Sequence, residues 1–355
     1  MKFAVLPGDG IGPETTEATL RVLDAANLKF ALDFHFEKHA IGLATLKSQG
    51  TTLPPSVLDA CRAADGILLG PVSHADYPPR AQGGHNPSGE LRIALDLYAN
   101  IRPSRSREGL PHYGRTGMDL VIVRENTEGF YADRNMHQGV GEFMPSPDMA
   151  LAVRKITAQA SRRIARAAFT LARQRRKKVT AVHKANVLRV SDALFLREVR
   201  AVAHEFADVA YDEQLIDSMT AMLVRDAQRY DVIVTTNMFG DILSDEAAEL
   251  SGSLGLGGSI NAGDQYCMAQ AQHGSAPDIA GKDVANPTSA ILSAAMLLEW
   301  LAERKRNASL GKAARAIAEG VEALLQSPAT RTRDLGGSIG TAKFAALLAE
   351  RLQAM

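Results

Sequence analysis

The chain has 355 residues, which exceeds a single small domain and predicts about two domains. Its 40 lysines and arginines balance its 40 aspartates and glutamates, so no net charge directs it toward nucleic acid or an anionic membrane. Cys61 and Cys267 lie far apart without a CxxC spacing, which argues against structural zinc and a disulfide scaffold and fits a reducing cytoplasm.

The beginning of the chain predicts a strand, a glycine turn and a helix. Residues 2–6 are apolar enough for a buried strand, and residues 14–26 carry apolar side chains at helical spacing. In the turn between them, GDGIGP at 8–13, the third glycine comes one residue too early for the GxGxxG fingerprint. A true Rossmann turn is therefore not expected. The first apolar run is also too short for a signal peptide.

Three arginines follow in separate predicted elements. Residues 71–89 form a glycine-, proline- and histidine-rich loop, and irregular segments of this length are usually functional. The predicted helix after it carries Arg92, Arg102 lies just beyond that helix, and Arg124 ends a predicted strand. Guanidinium groups pair well with carboxylates, and ligands bind at the carboxyl ends of strands in open α/β sheets. Each arginine taken singly could equally lie on the surface.

The middle of the chain predicts a loop over residues 139–147 and a long amphipathic helix over residues 150–173. The helix ends in a basic run, RQRRKK at 173–178, which has no interleaved aromatic residues. Cations are favoured at a helix C-terminus, so we expect a solvated helix end and no nucleic-acid binding. The next strand, residues 179–182, leads to Lys184, a candidate base if its surroundings lower its pKa.

Three aspartates stand where extended segments lead into helices. Asp217 follows one such segment, and Asp241 and Asp245 follow the β-branched run 232–234 and precede a predicted helix at 246–254. Two acids four residues apart share a helix face with Cβ atoms about 5–6 Å apart, which suits one hard cation. The alternative is a solvated acidic first turn, which the helix dipole favours.

A segment of small residues near the C-terminus predicts a nucleotide-binding loop. Residues 273–281, HGSAPDIAG, let a flat ligand approach the backbone, and Asp278 can accept hydrogen bonds from ribose hydroxyls. The longest apolar run, near residues 290–301, is too short to span a bilayer. We therefore expect no membrane association and a cytoplasmic location.

Together these motifs resemble the metal-dependent β-decarboxylating dehydrogenases, which include the isopropylmalate, isocitrate, homoisocitrate and tartrate dehydrogenases. The resemblance covers nearly the whole chain. It rests on six stretches in the family's order: residues 8–14, 91–103, 123–129, 183–186, 237–245 and 273–281.

The resemblance implies an α/β architecture, namely the two-domain isocitrate/isopropylmalate dehydrogenase-like fold, which is not a true Rossmann fold. Residues 1–99 and 252–355 would form the larger, cofactor-binding domain. Residues 100–251 would form the smaller domain, with the dimer interface and the metal ligands. The protein would be a homodimer with shared active sites, each in the cleft between the two domains.

The resemblance also implies a role for each candidate residue. The malate carboxylates of the substrate would be bound by Arg92, Arg102 and Arg124. Tyr131 would be the general acid, and Lys184, supplied by the partner subunit, would help remove the C2 hydroxyl proton. Ser88 and Asn86 would lie beside the C3 substituent.

The same resemblance implies two cofactors, a divalent cation and NAD. Carboxylate ligands suit Mg²⁺ or Mn²⁺, and the ligands would be Asp241, Asp245 and the partner's Asp217. The nicotinamide cofactor would be bound by His273, Gly274, Ser275, Ala276, Asp278, Ile279 and Asn286. NAD is expected rather than NADP, because the Asp278 carboxylate would repel a 2′-phosphate.

The expected reaction is the oxidative decarboxylation of a 3-substituted malate. Ser88 and Asn86 are polar, and buried hydroxyls left unpaired beside an alkyl group cost about 1–3 kcal/mol each. This predicts isocitrate-, homoisocitrate-, tartrate- or malate-like substrates, with 3-isopropylmalate as the alternative. Gln270 replaces the family's usual glutamate. Because of that change, a catalytically silent nucleotide- or carboxylate-binding sensor is a second class of hypothesis.

Overall fold

The computed structural model describes residues 1–131, 136 and 139–355. The described residues form a mixed α/β fold in which strands and helices alternate along much of the chain. In chain order the elements are β1 (Lys2–Leu6), α1 (Gly12–Phe30), β2 (His35–Lys38), α2 (Leu43–Gln49), α3 (Pro55–Ala63), β3 (Gly66–Leu69), α4 (Pro87–Ala94), β4 (Ala99–Arg105), β5 (Asp119–Glu125), β6 (Glu142–Ser146), β7 (Met149–Ala152), α5 (Ala158–Arg173), β8 (Lys178–His183), α6 (Ser191–Glu205), β9 (Ala210–Leu215), α7 (Ile216–Asp226), β10 (Val232–Thr235), α8 (Asn237–Ser251), β11 (Ile260–Ala262), β12 (Cys267–Gln270), α9 (Thr288–Lys305), α10 (Ala308–Leu325) and α11 (Thr341–Ala354).

The chain divides into two compact units. Unit 1 comprises Met1–Asp96, Glu108–Pro111 and Leu254–Met355, and unit 2 comprises Leu97–Arg107 and His112–Ser253. Each unit has its own strands and its own helices.

In unit 1 the strand order is β2-β1-β3-β12-β11. Strand β1 pairs in parallel with β2 and β3, β12 pairs in parallel with β3, and β11 pairs antiparallel with β12. The sequence of β1, KFAVL, is apolar after its lysine, and residues 3–6 are fully buried. Such a continuous apolar run is typical of a parallel strand covered on both faces.

In unit 2 the strand order is β4-β5-β10-β8-β9, with β4 antiparallel to β5 and the other pairs parallel. Alternate residues of β5 enter two apolar clusters: Val121 and Val123 pack with α5 and α6, whereas Leu120 and Ile122 pack with α7 and α8. The carboxyl ends of β5, β8 and β10 meet at one edge, where Thr235 pairs with Arg124 and Val182. Polar residues that follow these strands are thereby gathered at that edge.

Two predicted elements differ from the structure. The helix predicted over residues 150–173 begins only at Ala158, where the Thr157 hydroxyl accepts a hydrogen bond from the Ala160 N–H, and residues 149–152 form β7 instead. Helix α8 begins at Asn237 rather than near residue 246. Asp241 and Asp245 therefore lie within the helix, not in a turn before it.

The hairpin of β6 and β7 is unusual because nearly all its side chains are exposed. Phe143, Met144, Met149 and Leu151 are each at least 46 % exposed. Across the described part of the chain, no helix combines the length and the apolar character that crossing a membrane requires.

Candidate active site

Helix α8 carries Asp241 and Asp245 one turn apart on one face. Gly240 allows this helix to lie against β5, because a Cβ at that position would be 2.6 Å from the Cβ and Cγ atoms of Arg124. The close packing brings the Asp241 carboxylate next to the arginine that ends β5.

Arg102 joins the two aspartates. Its Nη1 atom donates to Ser244 Oγ at 2.7 Å, to Asp245 Oδ1 at 3.2 Å and to Asp241 Oδ1 at 3.3 Å. The Arg102 side chain is only 9 % exposed, whereas that of Asp245 is 53 % exposed. A nearly buried guanidinium thus lies directly behind a carboxylate that is open to solvent.

Arg124 is held even more tightly. Its Nε and Nη2 atoms donate to Asn237 Oδ1 at 2.9 and 2.6 Å, and its Nη1 atom donates to Asp241 Oδ1. Strands β4 and β5 are antiparallel, and Arg102 lies opposite Ile122, two residues before Arg124. Both arginines therefore project from the same face of the sheet, the one that α8 covers.

Tyr131 completes this cluster, because its hydroxyl donates to Asp241 Oδ2. The Arg124 guanidinium lies 5.4 Å from the centroid of the Tyr131 ring, within cation–π range. The pKa of Asp245 is raised above its usual value, mainly by burial. The charge of Arg102 opposes this shift, and the charge of Asp241 adds to it. The structure thus brings together five predicted site residues of unit 2: Arg102, Arg124, Tyr131, Asp241 and Asp245.

Lys184 and Asp217 form a second pair in unit 2. Lys184 Nζ donates to Asp217 Oδ1 at 2.6 Å, and this hydrogen bond holds the pKa of Asp217 below its usual value. The Asp217 side chain is 63 % exposed. Among the described residues no three potential ligands from histidine, cysteine, aspartate and glutamate come together, so Asp217 does not join Asp241 and Asp245 within one chain.

The donor set nonetheless suits Mg²⁺ or Mn²⁺. Asp241 and Asp245 offer carboxylate oxygens only, and hard divalent cations prefer oxygen ligands. Two carboxylates are fewer than such a cation needs. A site built on them requires further oxygen ligands, from a substrate or from a second copy of the chain.

Arg92 and Ser88 lie on α4 in unit 1. Arg92 Nη2 and Ser88 Oγ both donate to the side-chain oxygen of Gln270, at 3.1 and 2.9 Å. Asn86 caps the helix, since its Oδ1 accepts from Gly89 N at 3.3 Å. Of the two residues predicted beside the C3 substituent, Asn86 therefore also has a structural task.

The predicted nucleotide loop packs against the glycine turn near the N-terminus. Ser275 O accepts a hydrogen bond from Ile11 N at 2.8 Å, and a Cβ on Gly10 would lie 1.9 Å from Ser275 O. Gly10 has a φ of 57°, which favours glycine as well. The glycine turn at residues 8–13, which lacks the Rossmann spacing, thus packs against the nucleotide loop and helps to fix its backbone.

The other predicted cofactor-binding residues, in this loop and just after it, occupy varied surroundings. Burial lowers the pKa of His273, which favours the neutral form of its imidazole. Asn286 Nδ2 donates to Asp334 Oδ2 at 2.9 Å, and Asp278 is exposed. Gly274 is exposed and Ser275 is buried, while Ala276 and Ile279 are half-buried.

Sequence reasoning missed Arg154, which connects several parts of unit 2. Its Nη1 atom donates to Asp192 Oδ1 at 2.6 Å, and the other Asp192 oxygen accepts from Lys184 N at 2.5 Å. The Arg154 guanidinium also lies 5.0 Å from the ring centroid of Phe130 and donates to Thr236 Oγ1 at 3.3 Å. Arg154 fell within the helix predicted over residues 150–173, and its position there carried no signal of these contacts.

Glu128 was also missed, although it belongs to a recognised motif. Its carboxylate accepts hydrogen bonds from Thr157 N at 2.7 Å and Thr157 Oγ1 at 2.9 Å, and its backbone oxygen accepts from Asn237 Nδ2 at 2.8 Å. Burial raises the pKa of Glu128 to about 7. Glu128 thereby ties the segment that leads to Tyr131 to the helices α5 and α8.

Comparison with known proteins agrees with this architecture. The family model described as isocitrate/isopropylmalate dehydrogenase matches residues 2–348. The 3-isopropylmalate dehydrogenase of Archaeoglobus fulgidus is 42 % identical over 347 residues, which cover 97 % of each chain. The isocitrate/homoisocitrate dehydrogenase of Thermus thermophilus is 41 % identical over 357 residues, covering 100 % of this chain and 99 % of that one.

A solved structure is similar throughout. The crystal structure of isocitrate dehydrogenase from Methylococcus capsulatus has a TM-score of 0.87 and 39 % sequence identity, with 99 % of each chain covered. At this identity and coverage both the fold and the ancestry are shared. The chain therefore belongs to the isocitrate/isopropylmalate dehydrogenase family, whose members are decarboxylating dehydrogenases that act on a CH–OH group.

Proposed function

We propose that this protein catalyses the NAD-dependent, Mg²⁺- or Mn²⁺-dependent oxidative decarboxylation of a 3-substituted malate to a 2-oxo acid and CO₂. The observation that carries the proposal is the cluster in unit 2, where hydrogen bonds link two nearly buried guanidinium groups, two carboxylates and a tyrosine hydroxyl into one network centred on Asp241. Few structural roles require so many charged groups in one place.

The charges of this cluster match those of the proposed ligands. Arg102 and Arg124 carry two positive charges and Asp241 and Asp245 two negative charges, so the cluster is neutral. A divalent cation and a malate dianion are also neutral together. Binding both would let the carboxylates turn toward the cation and the guanidinium groups toward the substrate carboxylates, without leaving a buried charge unpaired.

Tyr131 and Lys184 are proposed as the proton-transferring residues. Lys184 would accept the C2 hydroxyl proton through water as hydride leaves for the nicotinamide ring, and the Tyr131 hydroxyl would donate a proton to C3 after CO₂ is lost. A bound divalent cation would supply Lewis-acid polarisation of the C2 oxygen throughout. Arg92 is assigned to the substrate by the family resemblance.

A homodimer with shared sites explains why Lys184 and Asp217 stand apart from Asp241 in one chain. The exposed apolar residues of the β6–β7 hairpin support such an assembly, because Phe143 and Leu151 are cross-strand neighbours and exposed apolar patches often mark an interface. Val224 on α7 and Ile242 on α8 are also more than half exposed. A second copy would cover these side chains.

The relatives favour 3-isopropylmalate as the substrate over the polar malates that the sequence predicted. Proteins named 3-isopropylmalate dehydrogenase match nearly the whole chain at 41–42 % identity. Their names do not exclude the other malates, since the Thermus relative is named for isocitrate and homoisocitrate.

The test is an assay of NADH formation with Mn²⁺ across isopropylmalate, isocitrate, homoisocitrate, malate and tartrate, each with all its stereoisomers. We expect turnover with at least one of them, and loss of turnover when Mn²⁺ is removed with a chelator. If purified, folded protein reduces NAD with none of these acids, the proposal is wrong and a non-catalytic sensor is the better hypothesis.

A further inference from the structure

The side-chain oxygen of Gln270 is a hydrogen-bond acceptor shared by three donors. Ser88 Oγ lies 2.9 Å away, Arg92 Nη2 3.1 Å and Asn261 Nδ2 3.4 Å. Gln270 ends β12, and its main chain is fixed as well, because its N–H donates to Ser259 O and its carbonyl accepts from Ser293 Oγ. The acceptor is therefore held in one place by the sheet.

Arg92 fixes the direction of the hydrogen bond between Ser88 and Gln270. A guanidinium group can only donate, so the Gln270 atom that it contacts is the amide oxygen. The Ser88 hydroxyl meets the same oxygen and must therefore donate its only proton to it. Ser88 is 7 % exposed and has only oxygen lone pairs left for any further partner.

We propose that Gln270 is a specificity-determining residue, which commits the Ser88 proton and thereby selects malates with an uncharged C3 substituent over malates whose C3 substituent carries a carboxylate. This inference rests on the proposed function, in which Ser88 lies beside that substituent. A carboxylate accepts hydrogen bonds only, so it would meet the lone pairs of Ser88 and find no donor there.

An alkyl substituent encounters no such obstacle. The cost of placing an alkyl group beside a buried hydroxyl arises when the hydroxyl is left unpaired. Here the Ser88 hydroxyl is already paired with Gln270, so an isopropyl group beside it leaves no hydroxyl proton without an acceptor. A hydroxyl substituent also fits, because it can donate to the free lone pairs of Ser88.

The experiment compares kcat/KM for isopropylmalate, tartrate and isocitrate in the wild type and in the matched variants Gln270→Met and Gln270→Glu. We expect the wild type to favour isopropylmalate or tartrate over isocitrate by about tenfold or more, equivalent to about 1.4 kcal/mol. Gln270→Met removes the acceptor and frees the Ser88 proton for a substrate carboxylate. It should move the ratio at least fivefold toward isocitrate.

Gln270→Glu keeps an acceptor in the same place, so Ser88 stays committed and the ratio should not move toward isocitrate. A wild type whose kcat/KM for isocitrate equals or exceeds its kcat/KM for isopropylmalate and for tartrate would overturn the inference. So would an equal shift toward isocitrate in both variants. If Gln270→Met does not fold, Gln270→Ala removes the same acceptor with a smaller side chain.

Binding separates this inference from the proposed function. Calorimetric titration of the wild type with the three acids in Mg²⁺ gives their ranking without turnover. Absence of NADH formation with tight, ranked binding would contradict the proposed function alone, whereas turnover with isocitrate ranked first would contradict the inference alone. Absence of both binding and turnover would contradict both.

Discussion

Replacing Arg154 with methionine should destabilise the protein far more than its place beside an exposed hairpin suggests. Arg154 pairs with Asp192, and their side chains are 7 % and 0 % exposed. Methionine keeps much of the apolar stem but removes the charge. The Asp192 carboxylate would then remain buried without its cation. Of the donors named above, only the Lys184 backbone N–H would still donate to it.

The expected magnitude follows from the burial of that carboxylate. Removing one partner of a buried ion pair costs about 3–5 kcal/mol, because the other charge is left uncompensated. Arg166 provides the matched control: it pairs with Glu205, but their side chains are 50 % and 46 % exposed. An exposed pair contributes only about 0–1 kcal/mol, so Arg166→Met should be close to wild type.

Urea unfolding followed by circular dichroism measures both variants. The double variant Arg154→Met/Asp192→Asn should recover at least about half of the loss, since a neutral amide needs no cation. At temperatures where Arg154→Met stays folded, kcat should fall about 10- to 100-fold, because the backbone of Lys184 loses its fixed support. A loss of free energy of unfolding below about 1 kcal/mol, or equal losses in Arg154→Met and Arg166→Met, would refute the reasoning.

Four further outcomes test the site. Asp241→Asn and Asp245→Asn should each abolish Mn²⁺-dependent turnover. The drop in Tm should be larger for Asp241→Asn, because Asp241 accepts hydrogen bonds from both buried arginines. Full activity at the Mn²⁺ concentration that half-saturates the wild type would count against the ligand assignment. Tyr131→Phe should slow decarboxylation and protonation more than hydride transfer, so a substrate deuterium isotope effect on kcat should shrink; an unchanged kcat would exclude the role. Asp278→Lys should erode a preference for NAD, measured as the ratio of kcat/KM values, and a wild type that prefers NADP would contradict the assignment. The folded-state pKa of Glu128, about 7, exceeds its usual value of 4.5, so its contribution to stability is full below about pH 4.5 and is lost as the pH rises toward 7. Glu128→Gln should therefore reduce the fall in the free energy of unfolding between pH 5 and pH 8 by about 1–3 kcal/mol. The same pH dependence in the variant and the wild type would exclude this effect.

Much of the fold follows from apolar patterning. Strand β1, strand β10 and the middle of β5 are nearly continuous apolar runs, and such runs are recognisable because both faces of the strand are buried. The β6–β7 hairpin could not be predicted in the same way. Its residues are almost all exposed, so they carry no alternation between a buried and a solvated face, and residues 150–152 were assigned to the helix that follows.

The start of α8 was misjudged for a related reason. Asn237 and Gly240 are poor helix formers, and their presence argued for a turn. In the structure Asn237 accepts from Arg124 and Gly240 lets the helix approach β5. Both residues are required by contacts with another strand, and local propensity contains no information about such contacts.

Arg124, Asp241 and Asp245 could be placed near one another because the parallel strands β5 and β10 bring their carboxyl ends to one edge of a sheet. The partners that hold them could not. Glu128 fixes the position of Thr157 and Asn237, which lie 29 and 109 residues away along the chain. A single sequence offers no way to pair residues at such separations, unlike neighbours on one helix face.

Ser88 shows why residue type alone is an unsafe guide to a pocket. Its hydroxyl was expected to require a polar substrate group, on the argument that an alkyl neighbour would leave it unpaired. The structure pairs it with Gln270 instead, and Arg92 determines that Ser88 is the donor. What a serine hydroxyl can offer a ligand depends on whether its proton is already engaged in a hydrogen bond to another acceptor. A hydroxyl that already donates its hydrogen bond presents only lone pairs to a ligand, and an alkyl neighbour leaves it paired.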